Sequence, residues 1–297
     1  MQTLYRLYLG CIVLLAAWSA SAAEKILIFT HTYNRPDFIE LHKKTFDEFL
    51  EEEYEYVVFN DAPNDAMKNE IENTCRRLGV RCVRVPQELH QRPGRNTPGH
   101  RHMDGIQFSL DTLVYDYDGI ALFIDSDMFL IKPFSVVKYL AGYDLIGGEQ
   151  WRIGPNIRVT YIAPTLVFMN MRTLPNKRTI SFEDGSIEGQ ACDVGGHTYY
   201  YLKNNPTLRY RLFIASSEGR LPRNANELRA LGYDDNTIQF IMSLPLSYHG
   251  FEFHGDHNFM HYYAGGSNWP GYSAKFLQEK NALLYNFIDR SIAYYRK

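Results

Sequence analysis

The chain has 297 residues, 45% of them hydrophobic and 22% charged, with a formal net charge of −3 at pH 7. That length and apolar content support one large α/β domain or two small ones around a substantial core, and exclude a disordered chain. The charge argues against a protein that binds nucleic acid by neutralising many phosphates, because such proteins carry a basic face.

Residues 1–23 begin with a single basic residue, Arg6, followed by an apolar stretch from Leu7 to Trp18 and small residues from Ser19 to Ala23. This is the pattern of a secretory signal peptide with an A-x-A-like end at Ala20 to Ala22. The expected product is an exported protein (secreted, periplasmic or in the ER/Golgi lumen) made of one domain, residues 24–297. The apolar stretch is shorter than the about 20 residues a membrane span needs, so membrane association is expected only if the segment stays uncleaved as a signal anchor. Beyond it lie Cys75, Cys82 and Cys192. "CRRLGVRC" is compatible with a small disulfide loop or with free thiols, and spacing alone does not choose between them.

The next segments alternate strand, loop and helix. "KILIF" is a short buried strand, Ile26 to Phe29, and a helix is expected from about Asp37 to Leu50. "YEYVVFND" is a strand ending at Phe59, and "GVRCVRVP" is a third. A helix around Met103 to Tyr115 leads into "GIALFIDSDMF", which is apolar on both sides like a central strand. This order predicts an α/β fold, with a mainly parallel sheet and helices on both faces. Further on, "DLIGGEQWRI" and "YIAPTLVFMNM" read as strands and "DVGGHTYYYLKN" as a loop entering a helix. "FHGDHNFMHYYAGGSNWPGY" reads as a long loop before a terminal helix, about Ala274 to Tyr295.

Ligands of open α/β sheets collect beyond the carboxyl ends of the strands, where Thr30, Asp61, Asp125 and Asp127 are expected. Two carboxylates inside an apolar run are costly to desolvate unless a positive partner meets them. The D-x-D spacing lets two oxygens approach one hard divalent cation while the side chain between them points elsewhere. Such a cation neutralises charge on a departing diphosphate.

"ALFIDSDMFLIKPF" resembles the D-x-D segment of the GT-A nucleotide-sugar glycosyltransferases. The resemblance implies Mn²⁺ or Mg²⁺ at Asp125 and Asp127, against the diphosphate of a nucleotide-sugar donor, a UDP-sugar in the first instance. "FTHTYNRPDF" resembles that fold's first strand and loop, implying Thr30 and Tyr33 as contacts to the base. Asp61 matches the acid that binds base or ribose, and Arg101 a basic residue near the phosphates or the acidic ligands. "HYYAGGSNW" is similar to the H-x-x-G-x-x-K-P-W segment of glycogenin-like and bacterial lipopolysaccharide galactosyltransferases, implying His261 as the third metal ligand. Ala264, Ser267 and Asn268 stand where that pattern has Gly, Lys and Pro, so the lysine's phosphate contact does not carry over. His254 and His257, nearby, read as surface residues more often than ligands, and either is the alternative to His261 as the third ligand. Asp193, in "CDVGGHT", resembles the acceptor-side aspartate, a general base if the reaction inverts or an acceptor-positioning residue if it retains. An ordinary helix N-cap is the competing reading. In "YIAPTLVFMNM" only Asn170 survives of the family's N-A-G-x-x-x-x-N strand.

The implied function is a metal-dependent transfer of a hexose from a nucleotide diphosphate sugar to a glycan, lipid or protein hydroxyl, with no nucleic-acid partner. The alternatives are a secreted carbohydrate-binding pseudoenzyme with the same fold and, less favoured, a sugar-phosphate nucleotidyltransferase, which lacks support because no Gly-rich basic loop follows the first strand.

Overall fold

A computed structural model describes residues 25–91, 97–154, 157–214, 225–230, 232–243, 251–262 and 273–296. In chain order the first half comprises β1 (Ile26–Thr32), α1 (Pro36–Phe49), β2 (Tyr54–Asn60), α2 (Asp65–Leu78), β3 (Arg81–Arg84), α3 (Pro98–Thr112), β4 (Ile120–Ile124), β5 (Met128–Leu130) and α4 (Val136–Leu140). It continues through β6 (Leu145–Ile153), β7 (Arg158–Asn170), β8 (Gly185–Ile187), β9 (Gln190–Cys192), α5 (Thr198–Asn204) and β10 (Tyr210–Phe213). The last elements are α6 (Ala225–Ala230), α7 (Asp235–Ser243), β11 (Phe251–His254), β12 (Phe259–Tyr262) and α8 (Ala274–Tyr295).

Seven strands form one sheet in the order β10-β6-β7-β4-β1-β2-β3. All neighbours pair in parallel except β7, which runs antiparallel to both β4 and β6. The expected mainly parallel α/β architecture is therefore present. Its central strands are apolar at successive positions because both faces are covered. Ile26, Ile28, Val58 and Leu122 point into one core layer with α1, α2 and α8. Leu27, Phe29, Phe59 and Phe123 point into the other, with residues of α3 and α5.

Local signals set the helix ends. Asn64 accepts from Met67 N at 3.0 Å to cap α2, and Gly79 closes it in the left-handed region at φ 66°. α3 begins at Pro98, five residues earlier than its apolar periodicity suggests, because Thr97 caps it and Pro occupies the first turn. Cys75 and Cys82 are free thiols, Cys75 fully buried at the end of α2 beside Cys82 on β3. Residues 1–24 lie outside the described residues, among which no helix is long and apolar enough to cross a membrane.

At the edge of the sheet Asp144 clamps β10 to β6. Its carboxylate accepts from Arg209 N, Nε and Nη2 at 3.0, 3.1 and 2.5 Å and from the Thr173 hydroxyl at 2.6 Å. Arg209, with Thr173 assisting, holds this carboxyl down at about 2. A carboxylate depressed in the folded state adds stability above its unfolded pKa and loses it as pH falls through the folded value. Asp144→Asn is expected to cost about 2 kcal/mol at pH 6, with the gap to the wild type closing near pH 2; urea unfolding at the two pH values measures it.

Candidate active site

The D-x-D segment is a tight turn between two buried strands. β4 delivers Asp125, whose backbone N–H is held by the Thr165 carbonyl of β7 at 2.8 Å. The Asp125 carbonyl accepts from Met128 N at 3.1 Å, and its side chain accepts from Ser126 N at 2.8 Å. The chain then re-enters the core as β5. His42, buried in α1, donates from Nε2 to the Met128 carbonyl at 2.7 Å, which leaves Nδ1 to accept from the Tyr56 hydroxyl, also at 2.7 Å. Burial lowers the His42 pKa to about 4, keeping this prop neutral.

β5 pairs with β12, and β12 with β11, in a separate antiparallel sheet. The stretch expected to be one long loop from Phe253 therefore holds the end of β11 and all of β12, a hairpin of two four-residue strands. The alternation in "FEFH" permits a strand, and Gly255, Asp256 and His257, all at positive φ, make the turn. Residues 263–272, with Trp269, lie outside the described residues. The pairing sets His261 opposite Met128, while Tyr262 N donates to the Asp127 carbonyl at 2.7 Å and the Tyr262 hydroxyl donates to Asn281 of α8 at 2.7 Å.

His261 Nε2 thereby lies 3.2 Å from Asp127 Oδ1. Asp125, Asp127 and His261 each offer a ligand atom within 4.8 Å of the others, although 134 residues separate Asp127 from His261 in the chain. Asp127 and His261 are 6% and 7% exposed, and Asp125 is half-buried. Burial, and then the neighbouring Asp127 charge, raises the Asp125 carboxyl. Burial opposes a charge on His261, but the Asp127 carboxylate outweighs it and, with Glu252, holds the imidazole up at about 10. Two carboxylate oxygens and one nitrogen of His261, which gives up a proton when a cation binds, form a donor set that fits Mn²⁺ or Mg²⁺.

The remaining expected residues form two other groups. Asp61 is buried beyond β2, paired with Arg101 Nε at 2.7 Å and Nη2 at 2.8 Å, with His90 Nε2 at 2.9 Å and with Gln87 at 3.0 Å. The Arg101 guanidinium also stacks 4.9 Å from the Tyr33 ring centre. Tyr33, Asp61 and Arg101 are thus one cluster, with the acid and the base joined as an ion pair. Thr30 is fully buried within β1, and its hydroxyl has no hydrogen-bond partner among the described residues.

Asp193 is exposed directly after β9, its carboxylate accepting from Val194 N at 2.8 Å. Val194 packs against Gly99 in the first turn of α3. Asn170 lies opposite Ile120 at the start of β4, the far end of the sheet from Asp125, and its side chain accepts from Arg172 N in the turn that follows. The sequence favours a surface position for His254 while leaving it open as a ligand. The structure buries it at 5% exposure beside Glu252 and His261, because the hairpin turns that face inward.

The fold and the clustered carboxylates define an α/β protein with a candidate divalent-metal centre at the carboxyl end of its sheet. No family model and no curated protein matches the chain. Among solved structures it is similar to the galactosyltransferase LgtC in complex with donor and acceptor sugar analogues, at 11% identity and a TM-score of 0.45, over 88% of this chain and 95% of that one. It is also similar to glucosyl-3-phosphoglycerate synthase from Mycobacterium tuberculosis in complex with Mn²⁺, UDP and glucosyl-3-phosphoglycerate, at 15% identity and a TM-score of 0.38, over 64% and 70% of the two chains. A third similarity is to S. aureus TarS residues 1–349 in complex with UDP, at 18% identity and a TM-score of 0.35, over 54% and 50%.

Proposed function

We propose that the protein is a metal-dependent glycosyltransferase that moves a hexose from a nucleotide diphosphate sugar, UDP-linked in the first instance, to a hydroxyl on a glycan, lipid or protein acceptor. The observation that carries this reading is the meeting of Asp125 and Asp127 with His261, three residues that the glycosyltransferase resemblance selects from two distant motifs. Asp125, Asp127 and His261 would hold Mn²⁺ or Mg²⁺, which supplies positive charge to the departing diphosphate. Their burial strengthens every electrostatic contact made there.

The Tyr33 ring, stacked beneath Arg101 and standing 38% exposed, offers a face for the nucleotide base. Asp61 fixes the guanidinium of Arg101 and so holds that platform still. Asp193, exposed on a clipped loop, takes the acceptor hydroxyl's proton if the reaction inverts and orients the acceptor if it retains. The expected setting is an exported protein, after removal of residues 1–23.

The test is a thermal shift against UDP, GDP and CMP with and without Mn²⁺. A ligand bound only by the folded state at 100 times its Kd adds about 2.7 kcal/mol of stability. Stabilisation by one nucleoside diphosphate that requires Mn²⁺ is the expected result. No shift with any nucleotide removes the transferase reading in favour of a carbohydrate-binding protein.

A further inference from the structure

The β11–β12 hairpin carries a second cluster, of which the proposed transfer reaction uses only His261. Glu252 pairs directly opposite His261, and His254 lies two residues along the same strand on the same face. His254 Nε2 is 3.4 Å from Glu252 Oε2, and His261 Nδ1 is 3.7 Å from the same oxygen. The two imidazole rings meet edge to face with centres 5.3 Å apart. Both His254 nitrogens are buried and have no hydrogen-bond partner among the described residues, an uncommon state for an interior polar group.

We propose that Glu252, His254 and His261 form a second divalent-cation site, of the zinc class, on the side of the His261 ring facing away from Asp127. Two lines of physical evidence favour an ion over a hydrogen-bonded trio. Good hydrogen bonds between such groups span about 2.7–3.2 Å. Ligands bonded at about 2.0–2.2 Å around a tetrahedral zinc are spaced about 3.3–3.6 Å apart, close to the observed separations. Two imidazoles and one carboxylate also suit zinc better than the harder oxygen pair at Asp125 and Asp127. Three protein ligands leave a fourth position for water or a small ligand.

The shared residue couples the two sites. A neutral imidazole ligates through one nitrogen and keeps its proton on the other. An ion at Glu252 and His254 takes Nδ1 of His261 and leaves Nε2–H to donate to Asp127, 3.2 Å away. An ion at Asp125 and Asp127 takes Nε2 instead. Zinc at the hairpin therefore withdraws His261 from the first site and weakens Mn²⁺ binding there.

The test is calorimetric titration of zinc, against a competing chelator, into the metal-free full chain. One zinc is expected to bind the wild type and Asp125→Asn with affinities within about threefold, and His254→Gln and Glu252→Gln at least about tenfold more weakly. Cobalt in place of zinc is expected to give the visible absorption of a four-coordinate ion in the wild type and to lose it in His254→Gln. Circular dichroism of each metal-free variant checks folding; if one hairpin variant fails to fold, the other carries the comparison. Equal zinc affinity in the wild type and the hairpin variants overturns the site, as does an equal loss in Asp125→Asn or the absence of zinc binding. No nucleotide enters this titration, so its failure is distinguishable from a failure of Mn²⁺-dependent nucleotide binding.

Discussion

Asp127→Ala is expected to lower glycosyl transfer by about 10³-fold or more, the scale on which removal of one preorganised electrostatic group from a transition state is felt, and to abolish Mn²⁺-stimulated nucleotide binding. Asp127 is the residue of the three with the least room for substitution. Its carboxylate faces His261 Nε2 at 3.2 Å, and its backbone carbonyl fixes β12 through Tyr262 N. The backbone contact survives the substitution, so the strand pairing that delivers His261 is retained while the ligand is removed.

Breaking a buried ion pair is usually destabilising because a charge is left alone. Here Asp125 and Glu252 also face His261, so the imidazolium keeps a counter-charge. The metal-free variant is therefore expected to melt within a few degrees of the wild type. Thermal melts with and without Mn²⁺ and UDP, followed by a donor-hydrolysis assay, measure both parts. Mn²⁺-dependent stabilisation by UDP that persists in the variant would show that the cation is held elsewhere.

Much of this site is legible in the sequence, for unequal reasons. Asp125 and Asp127 stand out because an apolar strand stops at them and then resumes, which surface turns do not usually do. His261 is visible through its spacing to Trp269 in a resembling motif. Glu252 and His254 were within reach, since "FEFH" alternates with period two and places both polar residues on one face. The glycines and aromatics around that stretch favour a loop, and four-residue strands give too little pattern to overrule them. The Asp61–Arg101 pair spans 40 residues, and nothing in local sequence announces a contact made only when β2 and α3 pack. The same holds for His42, whose role as a prop under Met128 exists only after α1 has docked against β5. Asn170, the one position shared with the family's strand pattern, stands away from the site because β7 runs antiparallel and carries its last residue away from Asp125 and Asp127.

Gly195→Ala is expected to destabilise the protein by about 3 kcal/mol or more, a fall of about 6–10 °C in Tm for a domain of this size. Gly195 sits at φ 96°, and a Cβ there would lie 2.1 Å from the Ile162 carbonyl oxygen of β7. Backbone, unlike the tip of a side chain, does not yield cheaply. The same loop is clipped to the sheet by Gly195 N donating to Phe182 O at 2.7 Å, and by Thr198, whose hydroxyl donates to Gly195 O and accepts from Ile162 N at 2.7 and 2.8 Å. Displacing Gly195 therefore moves Asp193, two residues earlier, away from the position this clip gives it. Gly189→Ala separates strain from collision: Gly189 also has positive φ, 78°, but a Cβ there meets nothing within 4 Å, so only the backbone cost of about 1 kcal/mol applies. Paired melts of the two variants test the geometry. Transfer activity is expected to fall in Gly195→Ala while Mn²⁺-dependent UDP binding persists, because Asp125, Asp127 and His261 lie on other elements. Equal Tm values for the two variants would mean that Gly195 does not press against β7 and that this contact does not fix the position of Asp193.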